Sequence, residues 1–198
     1  MHVPVAVSAR HIHLSQADVE QLFGEGYELT PLRALSQYGQ FAANETLVIK
    51  TERSQFDTVR VVGPVRRRTQ VEISRTDAIR LGIKPPVRIS GDLLHSPGIT
   101  LIGPAGSIEL AEGVIIAARH VHMSPEVAAQ LGVKERQTIS VRINGPRPLT
   151  LERVHARISP LFTLEMHIDT DDANAVGMES NTIGQIVEVQ CNEKDDMV

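Results

Sequence analysis

Apolar positions along this chain cluster in short runs rich in β-branched residues, the signature of strands. Residues 3–8, 46–50, 58–62, 69–73, 87–90, 100–102, 114–118, 138–143, 149–153 and 183–190 read this way. Gly-Pro pairs at 63–64, 103–104 and 145–146 punctuate three of the connections. Many short strands with Gly and Pro turns favour barrels over a doubly wound sheet. Three segments follow a helical recipe instead. Ser15, Ser74 and Ser124 each stand where an N-cap belongs, and Asp18, Asp77 or Glu126 follows. An apolar face then ends in Leu22-Phe23-Gly24, Leu81-Gly82 or Leu131-Gly132, and Pro125 occupies a first helical position. Cap, acid and terminal glycine define helices of about two turns.

Two of these helices directly follow near-identical octapeptides. Ser8-Ala9-Arg10-His11-Ile12-His13-Leu14-Ser15 and Ala117-Ala118-Arg119-His120-Val121-His122-Met123-Ser124 lie 109 residues apart. On an extended strand, side chains at i and i+2 share a face. Each octapeptide therefore offers two imidazoles side by side, a bidentate claw for a divalent metal. Chance placement would rarely repeat the whole string. The metal reading is thus preferred over one in which buried strand histidines merely satisfy backbone carbonyls. A strand carrying His-x-His, then a capped helix, is one unit used twice in a two-part, β-rich protein. The metal sites are expected near where the parts meet.

Composition narrows the classes. A chain of 198 residues with 41% apolar and 22% charged residues is expected to bury a packed core as one large domain or two small ones. A net charge of −4 argues against nucleic acid as the main partner, and 3% aromatics with no Trp argue against base-stacking platforms. Cys191 is the sole cysteine and sits in a polar tail, so no internal disulfide forms and a reducing compartment is expected. Nothing near Cys191 would lower its pKa, which makes it a poor nucleophile. The segment 193–198 is expected to be disordered. There is no apolar run of about 18 residues and no charged-then-apolar leader, so no membrane association is expected. A cytoplasmic location, or one enclosed in a cytosolic compartment, follows.

A catalytic metal usually takes three protein ligands and keeps one position open. Each claw needs about one more ligand. Glu72 lies inside an apolar strand, where a carboxylate is costly unless paired or metal-bound, and a salt bridge accounts for it as well as a metal does. In Leu164-Glu165-Met166-His167-Ile168-Asp169-Thr170-Asp171-Asp172, His167 shares a face with Asp169 if the segment is extended. His2 in a mobile terminus, His95 in a Gly/Pro loop and His155 near a strand end carry no such pattern. Arg66-Arg67-Arg68 reads first as a solvated basic turn and second as an anion site, since guanidinium forks match phosphate. Arg66 and Glu72 would be about 20 Å apart on a fully extended chain, so only a turn brings them together.

Taken in order, S-A-R-H-I-H-L-S, G-P-x-R followed by T-Q-V-E-I-S, the stretch from Ser90 to Pro104, A-R-H-V-H-M-S and M-H-I-D-T-D-D-A-N-A resemble the PduL-type phosphate acyltransferase family. These phosphotransacylases are associated with bacterial microcompartments, and the resemblance runs from about Val3 to Val189. It implies a mainly β fold of two small β-barrels capped by short α-helices, with a swapped chain path. Residues 1–9 with 118–198 would form one barrel. Residues 10–117 would form the other, with a small excursion near 24–44. Both His-x-His pairs would fall at crossings between barrels.

The resemblance further implies two divalent metals, usually zinc. His11, His13 and Glu72 would hold one, and His120, His122 and His167 the other. Arg66 matches the arginine that contacts phosphate. Ser8, Arg33, Arg60 and Asn174 match positions near coenzyme A, with Arg33 standing where a lysine is usual. The implied reaction joins an acyl-CoA and phosphate to give acyl phosphate and free CoA, without a covalent acyl-enzyme. A homodimer is expected from the resemblance and from the general frequency of two-fold homo-oligomers. Members in microcompartments often carry an N-terminal extension, and seven residues precede Ser8 here. Free cytosolic action, or location in a microcompartment lumen for a longer chain, is expected. Two rivals share the same ligands: a binuclear metal-dependent hydrolase of a phosphoester or thioester, and a non-enzymatic module stapled by metal.

Overall fold

The computed structural model describes residues 1–189; Cys191 and the tail 193–198 lie outside them. The elements in chain order are β1 (His2–Val7), β2 (His11–His13), α1 (Gln16–Phe23), β3 (Pro31–Ala34), β4 (Phe41–Lys50) and β5 (Gln55–Gly63). Then come β6 (Gln70–Glu72), α2 (Arg75–Leu81), β7 (Val87–Arg88), β8 (Ile99–Ile102), β9 (Ser107–Leu110) and β10 (Val114–Ala117). The last are β11 (His120–Met123), α3 (Pro125–Leu131), β12 (Thr138–Ile143), β13 (Leu149–Ile158), β14 (Glu165–Ile168), α4 (Thr170–Val176) and β15 (Ile183–Val189). The fold is mainly β, as the strand pattern predicts. No helix among the described residues is long and apolar enough to cross a membrane.

The chain divides into two compact units. Among the described residues, the split unit joins 1–8 to 118–189, and the central unit spans residues 9–117. In the split unit, β1, β14, β11, β13, β12 and β15 close a barrel in that order. Its core includes Val3, Val121, Met123, Ile139, Val154 and Met166, all fully buried. In β1, Val3 and Val5 turn inward while His2 and Pro4 are exposed, the two-residue period of a strand with one wet face. His2 therefore belongs to an ordered strand rather than to a mobile terminus.

The central unit is a nine-stranded, barrel-like sheet in the order β7, β10, β6, β2, β5, β4, β8 and β9, with β3 added on β4. Ile12, Leu47, Ile49, Val59, Val61, Val71 and Leu101 fill its core. β10 runs parallel to both β6 and β7. It is buried over Val114, Ile115 and Ile116, as a strand covered on both faces must be.

The three expected caps form. Ser15, Ser74 and Ser124 accept from the backbone N–H groups of Asp18, Asp77 and Val127. At Ser74 the Asp77 carboxylate answers with a bond to the cap's own N–H, a full capping box. Gly82 and Gly132 end α2 and α3 at φ 74° and 66°, a left-handed conformation that only glycine takes at no cost. A fourth helix, α4, was not evident in the sequence pattern because its cap is an aspartate, Asp169, inside an acidic run. β13 also extends five residues past its expected end, which puts His155 within the strand.

The internal repeat reaches beyond the octapeptides. His11 pairs in antiparallel register with Glu72, and His120 with His167. Gln70 faces His13, and Glu165 faces His122. On the other side, parallel strands place Arg60 beside His11 and His155 beside His120. Ile115 runs beside Glu72 in one unit and Ala6 beside His167 in the other. Thus β1 pairs inside the split unit just before the chain enters the central one, and β10 does the reverse. Each His-x-His begins shortly after the chain changes unit.

Candidate active site and metal centres

The first cluster forms on β2 and its antiparallel neighbour β6. His11 and His13 share the strand face that the i, i+2 spacing dictates. His11 Nδ1 lies 2.9 Å from the carbonyl of Ala9, and His13 Nδ1 lies 3.0 Å from that of Val62. A carbonyl only accepts, so each Nδ1 carries a proton, and in the neutral ring Nε2 keeps its lone pair. The two Nε2 atoms lie 3.1 Å apart. Glu72 places Oε2 3.6 Å from His11 Nε2 and Oε1 3.9 Å from His13 Nε2. Ligands about 2.0–2.2 Å from a tetrahedral ion are separated by similar edges, about 3.3–3.6 Å. Two unprotonated nitrogens and a carboxylate converging on one space are a donor set suited to a divalent cation. Burial, then the neighbouring His11 and Arg66, push the His13 pKa down to about 3, so its ring is neutral as a ligand must be.

Glu72 is buried, and the oxygen that faces His13 also accepts two hydrogen bonds. Gln70 Nε2 and Ser90 Oγ both donate to Oε1, Ser90 at 3.0 Å. Ser90 in turn accepts from Gln70 Nε2 and from Arg66 Nη1, each at 2.9 Å. The turn that the sequence requires between Arg66 and Glu72 is present. Past Arg66, whose N–H donates to the Leu14 carbonyl at 2.7 Å, the chain bends at Arg67 and Arg68 before it enters β6. Arg66 therefore stands one hydroxyl away from Glu72. Ser90 and Gln70 were not singled out from the sequence, because neither residue type marks a site by itself. The available hint is that both lie within the motifs that carry the family resemblance, Gln70 in T-Q-V-E-I-S and Ser90 at the start of the stretch to Pro104.

The second cluster repeats the plan with different chemistry. His120 Nδ1 lies 2.8 Å from the Ala118 carbonyl, the counterpart of His11 and Ala9. The rings of His120, His122 and His167 stand 4.8–5.1 Å apart, centroid to centroid. Their ligand atoms all fall within 4.8 Å of one another. His122 Nδ1 is buried with no hydrogen-bond partner among the described residues, an orphaned atom of the kind a metal satisfies. Burial, then His120 and His167, lower the His122 pKa to about 3. Glu165 brings Oε2 to 2.8 Å from His167 Nε2. Phe162 lays its ring 4.3 Å from that of His122. Asp169 does not join His167: β14 ends at Ile168, and the Asp169 carboxylate is spent accepting from the Asp172 N–H.

The arginine before each pair braces its cluster. Arg119 makes a two-pronged bond to Asp172 at 2.6 and 2.7 Å, and Arg10 reaches Asp77 at 2.6 Å. Both acids lie in the first turn of the helix that follows the third cluster residue, α2 after Glu72 and α4 after His167. The remaining site candidates are distributed between the units. Arg60, beside His11 in register, holds the carbonyls of Ala43 and Asn44, each at 2.9 Å. Arg33 is exposed on β3. Ser8 and Asn174 belong to the split unit, where the Ser8 N–H donates to the Ile168 carbonyl at 2.8 Å and Asn174 is exposed on α4. His2, His95 and His155 join neither cluster.

A family model described as phosphate propanoyltransferase matches residues 4–179. Curated relatives bearing that same name include one from Thermotoga maritima, 52% identical over 185 residues, or 93% of this chain and 88% of the relative. One from Priestia megaterium is 59% identical over 173 residues, covering 87% and 80% of the two chains. One from Clostridioides difficile is 43% identical over 185 residues, covering 93% and 88%.

Proposed function

The chain belongs to the phosphate propanoyltransferase family, a family of phosphate acyltransferases, and from that membership we propose that it interconverts a short-chain acyl-CoA plus phosphate with an acyl phosphate plus CoA, metal-assisted and by direct transfer. The observation that carries the metal-assisted reading is the pair of bare Nε2 lone pairs of His11 and His13 facing Glu72, with Arg66 one hydroxyl away.

His11, His13 and Glu72 would hold one ion, and His120, His122 and His167 the other. Three N/O donors at each site suit zinc and leave a coordination position open. Bound there, a divalent metal supplies charge that stabilises a developing oxyanion and favours a thiolate over a thiol. The protein's own groups do the rest. Arg66 offers a guanidinium fork to the phosphate nucleophile and holds it against the thioester carbonyl. The Ser90 hydroxyl fixes Arg66 and Glu72 relative to one another. Phosphate itself, rather than a serine, is the proposed attacking group. Ser8, Arg33, Arg60 and Asn174 are the proposed coenzyme A contacts.

The product identifies the reaction. Incubating metal-replete protein with propionyl-CoA and phosphate, then trapping acyl phosphate as its hydroxamate, should give product in proportion to free CoA. Free carboxylic acid with no hydroxamate would replace this reading with hydrolysis.

A further inference from the structure

A cavity of about 250 Å3 lies between the loop that carries Arg66 and the turn after β3. Tyr38, Gly39, Gln40, Gly63, Pro64 and Arg66 line it. Two of these walls adjoin the first cluster. Gly63 follows Val62, whose carbonyl holds His13, and Arg66 shares Ser90 with Glu72. The facing wall is a built turn. The Leu35 N–H donates to the Gln40 carbonyl at 3.0 Å and the Gln40 N–H to the Gln37 carbonyl at 3.1 Å, with Gln37 buried. Farther back in the same excursion, buried Glu45 accepts from the Tyr27 hydroxyl and from the Thr30 hydroxyl and N–H. At the tip of this turn Tyr38 is 78% exposed. The cavity therefore has a guanidinium at one wall and an uncovered aromatic ring at another.

Resting on the acyltransferase reading above, we infer that Tyr38 is a specificity-determining residue whose ring walls the space taken by the acyl group. In an acyl phosphate the acyl carbon is bonded directly to a phosphate oxygen. A phosphate held by Arg66 thus leaves its acyl group in the cavity that Arg66 lines. The volume falls below the roughly 300–1,000 Å3 of pockets for drug-sized ligands, a scale fitting a short chain. The hydrogen bonds of the turn hold the Tyr38 backbone in place at the cavity, so the size of its side chain sets the room left for methylenes.

The test is the ratio of kcat/KM for butyryl-CoA to that for acetyl-CoA, with phosphate as acceptor, in Tyr38→Ala, Tyr38→Trp and Tyr38→Phe. A methylene in an apolar pocket is worth roughly 10–200-fold. Tyr38→Ala should raise the ratio about tenfold, Tyr38→Trp should lower it, and Tyr38→Phe should keep the wild-type value. Tyr38 is exposed, so the variants should melt with the wild type. Unchanged ratios in both Ala and Trp variants, with phosphate-dependent turnover intact, would overturn the assignment of Tyr38 alone. No phosphate-dependent turnover of any acyl-CoA by the wild type would instead remove the reading on which it rests.

Discussion

His11 and His13 aim their Nε2 atoms at the same space, 3.1 Å apart, while the Nδ1 of each is tied to a backbone carbonyl. In the neutral rings, with the protons on Nδ1, the close approach sets lone pair against lone pair. Such a contact is repulsive unless a cation lies between, and Glu72 adds a carboxylate to the same space. The strand supplies the face, and the carbonyls of Ala9 and Val62 supply the tautomer.

Removing one imidazole should cost one metal. His13→Ala and His122→Ala should each lower the bound metal from about two ions per chain to about one, and each should abolish acyl phosphate formation. Metal analysis of the purified variants, with circular dichroism to verify folding, decides this. Two ions retained in both variants would remove these residues from the ligand sets.

Arg66→Ala should lower kcat/KM for phosphate about 100-fold, the scale of losing one charged oxyanion contact. Arg66→Lys should recover part of that loss, since it keeps the charge but not the fork. Phosphate saturation curves at fixed acyl-CoA measure both. Curves that superimpose on the wild type would assign phosphate binding elsewhere.

Acid should destabilise the metal-free protein. Folding lowers the His13 and His122 pKa values from 6.5 to about 3, chiefly through burial. As pH falls, the unfolded chain binds protons before the folded chain does. The stability from two neutral rings is fully present above about pH 6.5 and is lost as pH drops toward 3. Each ring contributes a slope of about 1.4 kcal/mol per pH unit across that window. Denaturation of chelated protein between pH 7 and pH 4 should show this slope, and a His13→Gln/His122→Gln variant should flatten it. Equal slopes in the two proteins would contradict the account.

The brace between Arg119 and Asp172 should be measurable by a double-mutant cycle. Arg119 is 38% exposed and Asp172 17%, so solvent screens part of the attraction. The two-pronged geometry still predicts a coupling of about 0.5–3 kcal/mol in unfolding free energy. A value indistinguishable from zero would make the pair incidental.

Much of this was legible because several signals agreed. The octapeptides carried both a two-residue period and a capped helix, so His11 with His13 and His120 with His122 were paired from sequence. Glu72 and His167 were harder, since they reach the claws only through strand pairing between distant segments. The structure sets them in the same register, Glu72 against His11 and His167 against His120. Ser90 and Gln70 escaped notice because a serine and a glutamine become informative only once Glu72 and Arg66 are in place. Asp169 misled for a related reason. Beside His167 it reads as a donor, yet an aspartate before a helix is drawn to the free N–H groups of the first turn. His155 lies past the strand end expected at Arg153, because pairing with β11 and β12 carries the strand on through it.

The most direct test of the central claim is release of free CoA from propionyl-CoA, with and without phosphate, on metal-replete and chelated protein. The account predicts rapid release only when phosphate and metal are both present, restored when zinc is returned to the chelated sample. Equal release without phosphate, or full phosphate-dependent release from metal-free protein, would contradict it.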